Sequence, residues 1–494
     1  MRAPRRNPAG STRFAGHPTA TVHDTPAGKP VQQLLWGDWL TLTGLAGGAP
    51  GWVSVRARGV DGWMREDSIQ ETRLLEVIFV DIGQGDGALV VTPDDRHLLV
   101  DAGEGDNMFR FLRWRYNGFR QPFSFAAAII SHPDADHYKG FKPLFEAPNV
   151  SFEALYHNGL VERAGGETLG PRAGGFVLDV VAGRDDLATL LADPAVRGDK
   201  VYPNMLHQAL ASGRVADARA LSADDGHLPG FAPGDDGDVV IEVLGPVRDA
   251  GPAGETRLKW FGDAGKTKNG HSVVLRLVYK SVSLLLGGDL NIPAEHHLLA
   301  AHTGHAMPPR TELDLDRVIE GGRKTFRSDI AKACHHGSAD FTDVFLKAVD
   351  PIATVISSGD REPHSHPRAD SLGAVGRWGR GSRPLVFSTE LARSAPEMIK
   401  HPSVLRAQLA AAQSAIETAP EGPKRERARA AFKKLTDSID RSVAVFGAIN
   451  LRTDGTRIVM AQKIEAPRSP AKKWDVYAID PDAQGVLRYR SQHE

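Results

Sequence analysis

The chain has 494 residues, 41% hydrophobic and 24% charged, a composition that supports a large core and excludes a disordered or fibrous protein. Its 60 Lys and Arg balance 61 Asp and Glu, so no global charge draws it to nucleic acid, although a local basic patch would. The one cysteine, Cys334, excludes an internal disulfide and is compatible with a reducing compartment. No run approaches the roughly 18–20 apolar residues that a bilayer span needs, and the basic N-terminus lacks the apolar segment of a secretory signal. No membrane insertion is therefore expected, and the cytoplasm is the expected location.

Residues 1–28, rich in Arg, Pro, Gly and Thr without periodicity, read as a disordered tail. Residues 29–72 change texture. Gln33–Trp36, Trp39–Thr43, Trp52–Arg56 and Gly62–Arg65 are short strand-like runs separated by Gly and Pro turns, which predicts a small all-β barrel. The phrases Gly51-Trp-Val-Ser-Val and Gly62-Trp-Met resemble a bacterial Src-homology-3-like domain. That resemblance implies either a peptide or protein partner at the barrel or a barrel that only packs on its neighbour, with Trp52 and Trp63 in the core.

Residues 73–394 read as one α/β domain. Leu74–Val80, Ala88–Val91 and His97–Val100 are apolar strands, and Asp81 and Asp101 sit at strand ends. Phe109–Tyr116 reads as a helix. Ala126–Ile130 is a short apolar strand that runs into Ser-His-Pro-Asp-Ala-Asp-His, which puts His132, Asp134, Asp136 and His137 in one loop. Imidazole and carboxylate together suit zinc, manganese or iron. A region of about 158–237, where Gly-rich loops alternate with Ala-rich helical segments, reads as an insertion that roofs the pocket. Lys266–Ser272 then reads as a polar approach to the strand Val273–Val278, and Ser283–Leu286 as a strand ending at Asp289. Ile330–Cys334 delivers His335 and His336. Neighbours on a strand face opposite ways, so only one of the two is expected to bind metal unless the chain turns there. Ile352–Ser357 is a further strand, followed by His364 and His366. Residues 395–494 read as a helix pair, Leu405–Glu417 and Glu421–Ile439, and terminal strands that complete the domain.

The pattern His132-x-Asp134-x-Asp136-His137 after an apolar strand resembles the signature of the metallo-β-lactamase fold, in the version found in the hydrolase domain of the DNA-uptake protein ComEC. Val80–Asp86, His97–Gly103, Leu284–Asp289 and His335-His-Gly-Ser338 resemble further motifs of that group, over roughly Leu74 to Thr389. The resemblance implies an αββα sandwich and two divalent metal ions, zinc or manganese. One ion would take His132, Asp134 and His271, the other Asp136, His137 and His335 or His336, with Asp289 bridging. Asn269 is the alternative to His271, which would then only support the site. Asp81, Asp86 and Asp101 would orient ligand histidines, or else only cap their loops. Asn269, Ser338, His364 and His366 are candidates to bind substrate, and Asp136, Asp289 and His366 to act in catalysis, His366 as a proton donor.

The fold's commoner motif has a second imidazole where Asp134 stands, and a carboxylate there favours manganese and anionic substrates. The implied activity is hydrolysis of a phosphodiester, with nucleic acid as a possible substrate, by a metal-activated hydroxide. The alternatives are another ester (a lactone, thioester or phosphocholine ester) or a non-catalytic, metal-stabilised sensor.

Overall fold

The computed structural model describes residues 12–44, 49–359, 364–390, 402–465 and 467–491. Residues 1–11 of the expected tail, Pro363, and the expected boundary near 395 lie outside them.

Two sheets form the centre. The first has ten strands, with Leu75–Phe79, Gly87–Val91 and His97–Ala102 antiparallel to one another. Phe123–Ile129, Val150–His157 and Val215–Ala220 continue from His97–Ala102 in parallel, with Leu98 opposite Ala127. On the other side Ile449–Thr453 pairs with Leu75–Phe79 and is followed by Ile458–Lys463, Trp474–Pro481 and Leu487–Tyr489. The second sheet has six strands. Val239–Gly245, Val274–Tyr279 and Val282–Leu286 are antiparallel, then Ile330–Lys332, Ala353–Ile356 and Leu385–Ser388 follow in parallel.

These strands read as nearly unbroken apolar runs because both faces of each sheet are covered. Val77, Phe79 and Ile129 of one sheet pack on Ile241, Leu275 and Val355 of the other. The opposite face of the ten-stranded sheet carries Asn107–Arg115, Lys142–Glu146, Arg184–Ala192 and Val201–Ala211, through Phe111, Leu144, Leu187 and Tyr202. The opposite face of the six-stranded sheet carries Ile292–Thr303, Glu312–Phe326 and Asp343–Val349. The result is the αββα sandwich implied by the motifs. None of the described helices is long and apolar enough to cross a membrane.

Three expectations are corrected here. Thr12–Ala15 and Thr19–His23 are strands where a tail to residue 28 was expected, and they belong to a seven-stranded antiparallel sheet that runs to Gln70. Each contributes buried small apolar residues, Ala15, Ala20 and Val22, to that sheet's own core. Trp36, fully buried, docks this unit on Val459 and Ala461 of the main domain, while Trp52 and Trp63 are half-buried. Within 158–237, Val215–Ala220 is an edge strand of the large sheet, and the helices of that region lie in its outer layer, because Leu187, Tyr202 and Leu206 bury against Tyr138 and Phe141. Lys266–Gly270, expected only as a polar approach to the next strand, lies in a short helix, Ala264–Gly270, started by Asp263, whose side chain accepts from the Lys266 N–H.

Candidate metal centre

The ligand-type residues lie at or near strand ends of the two packed sheets, in loops that meet one another. Asp101 closes its strand with φ of 55°, a left-handed conformation that turns its carboxylate sideways. Oδ1 accepts from the Ser131 N–H at 2.7 Å, and Oδ2 lies 2.9 Å from His137 Nδ1. The loop bearing Asp86 presses directly on the His-rich loop. A Cβ at Gly85 would stand 1.7 Å from the Asp136 carbonyl oxygen, so only glycine fits. His335 and His336 both take left-handed backbone conformations, with φ of 50° and 53°, so the chain turns sharply there. The turn aims only His336 into the cluster. Its Nδ1 lies 3.1 Å from Asp86 Oδ1.

Two carboxylate–imidazole pairs therefore face each other. With Nδ1 of each ring held by a carboxylate, Nε2 is the free end. The two Nε2 atoms are 3.3 Å apart. Asp289 Oδ2 lies 3.3 Å from His137 Nε2 and 3.1 Å from His336 Nε2, and Asp136 Oδ2 lies 3.5 Å from His336 Nε2. Two facing lone pairs or two facing N–H groups are unfavourable at that separation, which a shared proton or a cation relieves. Ligands about 2.0–2.1 Å from one divalent ion stand about 2.9–3.4 Å from one another in tetrahedral or octahedral geometry. The spacing of these atoms thus fits a single ion. Burial alone would lower both imidazoles, but Asp289 with Asp101, and Asp289 with Asp86, outweigh it and hold His137 and His336 well above their ordinary value. A bound cation answers the same carboxylates in place of those protons. Among the described residues, one ligand atom each from Asp86, His137, Asp289 and His336 lies within 4.8 Å of the others.

The other half of the expected set is arranged differently. His132 Nε2 is 3.6 Å from Asp134 Oδ2, and its Nδ1 lies beside the hydroxyls of Ser131 and Ser272 at 3.0 and 3.3 Å. His271 does not join it. Its Nε2 donates to the Lys259 carbonyl at 2.7 Å, and its ring stacks on Phe261 with centroids 4.8 Å apart. The helix Ala264–Gly270 ends at His271, and burial pushes its pKa down to about 4. Asn269 comes closer: with its amide nitrogen toward Asp134 it donates to Oδ2 at 2.7 Å. The ammonium of Lys268 forms an ion pair with Asp134 Oδ1.

Of the remaining candidates, Asp81 lies against the Gly447 backbone, where a Cβ would stand 2.0 Å from Oδ2, and away from the cluster. His335 Nε2 is 3.4 Å from the Asn269 amide, and the His366 ring is 5.6 Å from the His335 ring. His364, exposed, follows at 5.8 Å from His366. Ser338 caps its own loop, accepting from the Asp340 N–H at 3.1 Å.

Two further residues escaped the sequence reading. Lys332, buried inside its strand, forms an ion pair with Asp86 Oδ2, donates to the Gly288 carbonyl at 3.0 Å and lies 3.5 Å from Asp289 Oδ1. Glu162 comes within 3.8 Å of Lys268 from the region expected to be an insertion. A lysine in an otherwise apolar strand beside two histidines was the available signal for the first. Nothing in the sequence marked the second.

The model is similar to three solved structures. A metal-dependent hydrolase of the beta-lactamase superfamily, Tm1679, aligns at a TM-score of 0.32 and 13% identity over 64% of this chain and 95% of its own. A putative metal-dependent hydrolase from Parabacteroides distasonis aligns at 0.29 and 10% identity over 64% and 92%. A subclass B3 metallo-beta-lactamase from a soil metagenome, MEM-A1, aligns at 0.23 and 14% identity over 53% and 81%. No family model matches the sequence, and no curated protein matches it significantly. With similarities this low, the chemistry rests on the side chains themselves.

Proposed function

We propose that the chain is a metal-dependent hydrolase acting on a phosphodiester, with a nucleic acid strand as the first natural substrate to try. The observation that carries the metal reading is the mutual spacing of His137 Nε2, His336 Nε2 and Asp289 Oδ2, all between 3.1 and 3.3 Å. Asp101 and Asp86 hold the two rings from behind, and Asp289 and Asp136 supply the carboxylate oxygens. A bound divalent ion supplies Lewis acidity and a water acidic enough to attack at neutral pH. The thiol of Cys334 does not compete as a nucleophile, since burial keeps it protonated, well above its ordinary value. The Lys268 ammonium and the Asn269 amide at the rim favour an anionic substrate. So does the resemblance of the motifs to the ComEC hydrolase domain. The role given to His366, whose ring centroid is 6.3 Å from that of His336, is to protonate a leaving oxygen.

The test is hydrolysis of bis(para-nitrophenyl) phosphate by protein reconstituted with manganese or zinc, beside Asp136→Asn. Turnover that follows the metal and falls at least about a hundredfold in the variant supports the proposal. A fully metallated, folded protein that leaves the phosphodiester intact refutes the substrate and points to a carboxylic or thioester bond.

A further inference from the structure

We infer that this centre holds one metal ion, and that the ammonium of Lys268 takes the place of the second. The inference rests on the metal-hydrolase reading above and narrows it. In the fold's commoner motif, the position of Asp134 carries an imidazole, whose nitrogen lone pair is available to an ion. Here both oxygens of Asp134 are already engaged. Oδ1 is ion-paired with Lys268, and Oδ2 accepts from the Asn269 amide at 2.7 Å and lies 3.6 Å from His132 Nε2. The imidazole expected to complete the set, His271, is committed to the Lys259 carbonyl at 2.7 Å. An ammonium has three N–H donors and no lone pair, so it cannot be a ligand, and it repels a cation placed beside it. The pair is well enclosed, with the Lys268 side chain 16% and that of Asp134 26% exposed, and Glu162 lies 3.8 Å behind the ammonium as a further counter-charge. Lys200, 3.8 Å from Glu162, answers that second carboxylate, so the charges of this half are already paired, whereas the His137–His336 half has two Nε2 atoms facing each other across 3.3 Å. Lys268 also has the reach and charge to meet a non-bridging phosphate oxygen, the role a second ion plays in two-metal hydrolases.

The experiment counts ions. The whole chain is stripped with chelator, reconstituted with manganese, freed of excess ion and measured by elemental analysis and electron paramagnetic resonance. Wild type is expected to hold one ion per chain with an uncoupled six-line spectrum. Lys268→Ala is expected to gain a second ion and the broadened spectrum of a coupled pair, and Lys268→Arg, which keeps the charge, to stay at one. Circular dichroism confirms that each variant is folded. If Lys268→Ala does not fold, Lys268→Met takes its place with the same expectation. Two coupled ions in wild type overturn the inference, as does a single ion in both wild type and Lys268→Ala. No bound ion in any of them overturns the metal-hydrolase reading and this inference together. One ion without phosphodiester hydrolysis overturns only the substrate assigned above and leaves the Lys268 assignment standing.

Discussion

Replacing Lys332 by Met keeps the length of the side chain and removes a buried cation from between two buried carboxylates. Lys332 is 5% exposed, and its ammonium meets Asp86 Oδ2, lies 3.5 Å from Asp289 Oδ1 and donates to the Gly288 carbonyl at 3.0 Å. Burial opposes the charged form, but Asp86 and Asp289 outweigh it and keep the ammonium charged. Deleting one partner of a buried ion pair leaves its counterpart charged and desolvated, which costs about 3–5 kcal/mol. A loss of that size is therefore expected for Lys332→Met in the presence of chelator, where no metal can compensate Asp86. The assay is urea denaturation followed by tryptophan fluorescence, with wild type, Lys332→Met, Asp86→Asn and the double variant compared as a cycle. The double variant should recover part of the loss, because no uncompensated charge remains. If Lys332→Met costs less than about 1 kcal/mol in chelator, the ammonium is not compensating buried charge, and its place in the centre has been misread.

Asp101 and His271 should separate cleanly. Asp101→Asn removes the carboxylate that holds His137 Nδ1 at 2.9 Å and should weaken metal binding by about 10–100-fold by titration calorimetry, whereas His271→Gln should leave metal affinity unchanged and lower stability by about 1–3 kcal/mol, since it breaks a hydrogen bond to the Lys259 carbonyl. Loss of metal in His271→Gln with the fold intact would reinstate His271 as a ligand. Glu76 gives a pH dependence away from the metal. Burial would raise its carboxyl, but Arg115 and Arg452, at 2.8 and 2.9 Å, bring it down to about 2 from 4.5. Because the folded value is depressed, the contribution is fully present above about pH 4.5 and is lost as pH falls through about 2, to a total of about 3 kcal/mol. Glu76→Gln should therefore unfold with a flatter stability profile between those values, and an unchanged acid profile would show that the arginines do not act on it.

The sandwich was legible because its strands are buried on both faces, and continuous runs such as Leu98–Val100 and Leu284–Leu286 announce that directly. The ligand loops were legible because His and Asp at the ends of such runs have few other reasons to be there. Short elements were less visible. Thr12–Ala15 and Thr19–His23 are only four and five residues long, the first burying Ala15 alone, and both mix polar with apolar side chains, so pairing with their neighbours is what makes them strands. The seven-residue helix Ala264–Gly270 is too short to show a helical period, yet it ends at His271, whose Nε2 meets the Lys259 carbonyl instead of the candidate ligand cluster.

Charge compensation was the least legible part, and it decides the chemistry. An Asp in a ligand motif reads as a ligand from sequence alone, because the motif records which group is offered and says nothing of what already occupies it. Asp134 and Asp86 are both carboxylates of this candidate centre, and each is paired with a lysine, Lys268 from the helix Ala264–Gly270 and Lys332 from the strand Ile330–Lys332. The two ammonium groups act in opposite directions. Lys332 lies behind Asp86 and fixes the carboxylate that orients His336, which helps to preorganise a ligand nitrogen. Lys268 takes Oδ1 of Asp134 while Asn269 takes Oδ2, so on the proposal above it would compete with an ion for that carboxylate. A lysine near a metal motif is therefore informative only once its side of the carboxylate is known, and that side is set by packing between strands and helices far apart in sequence.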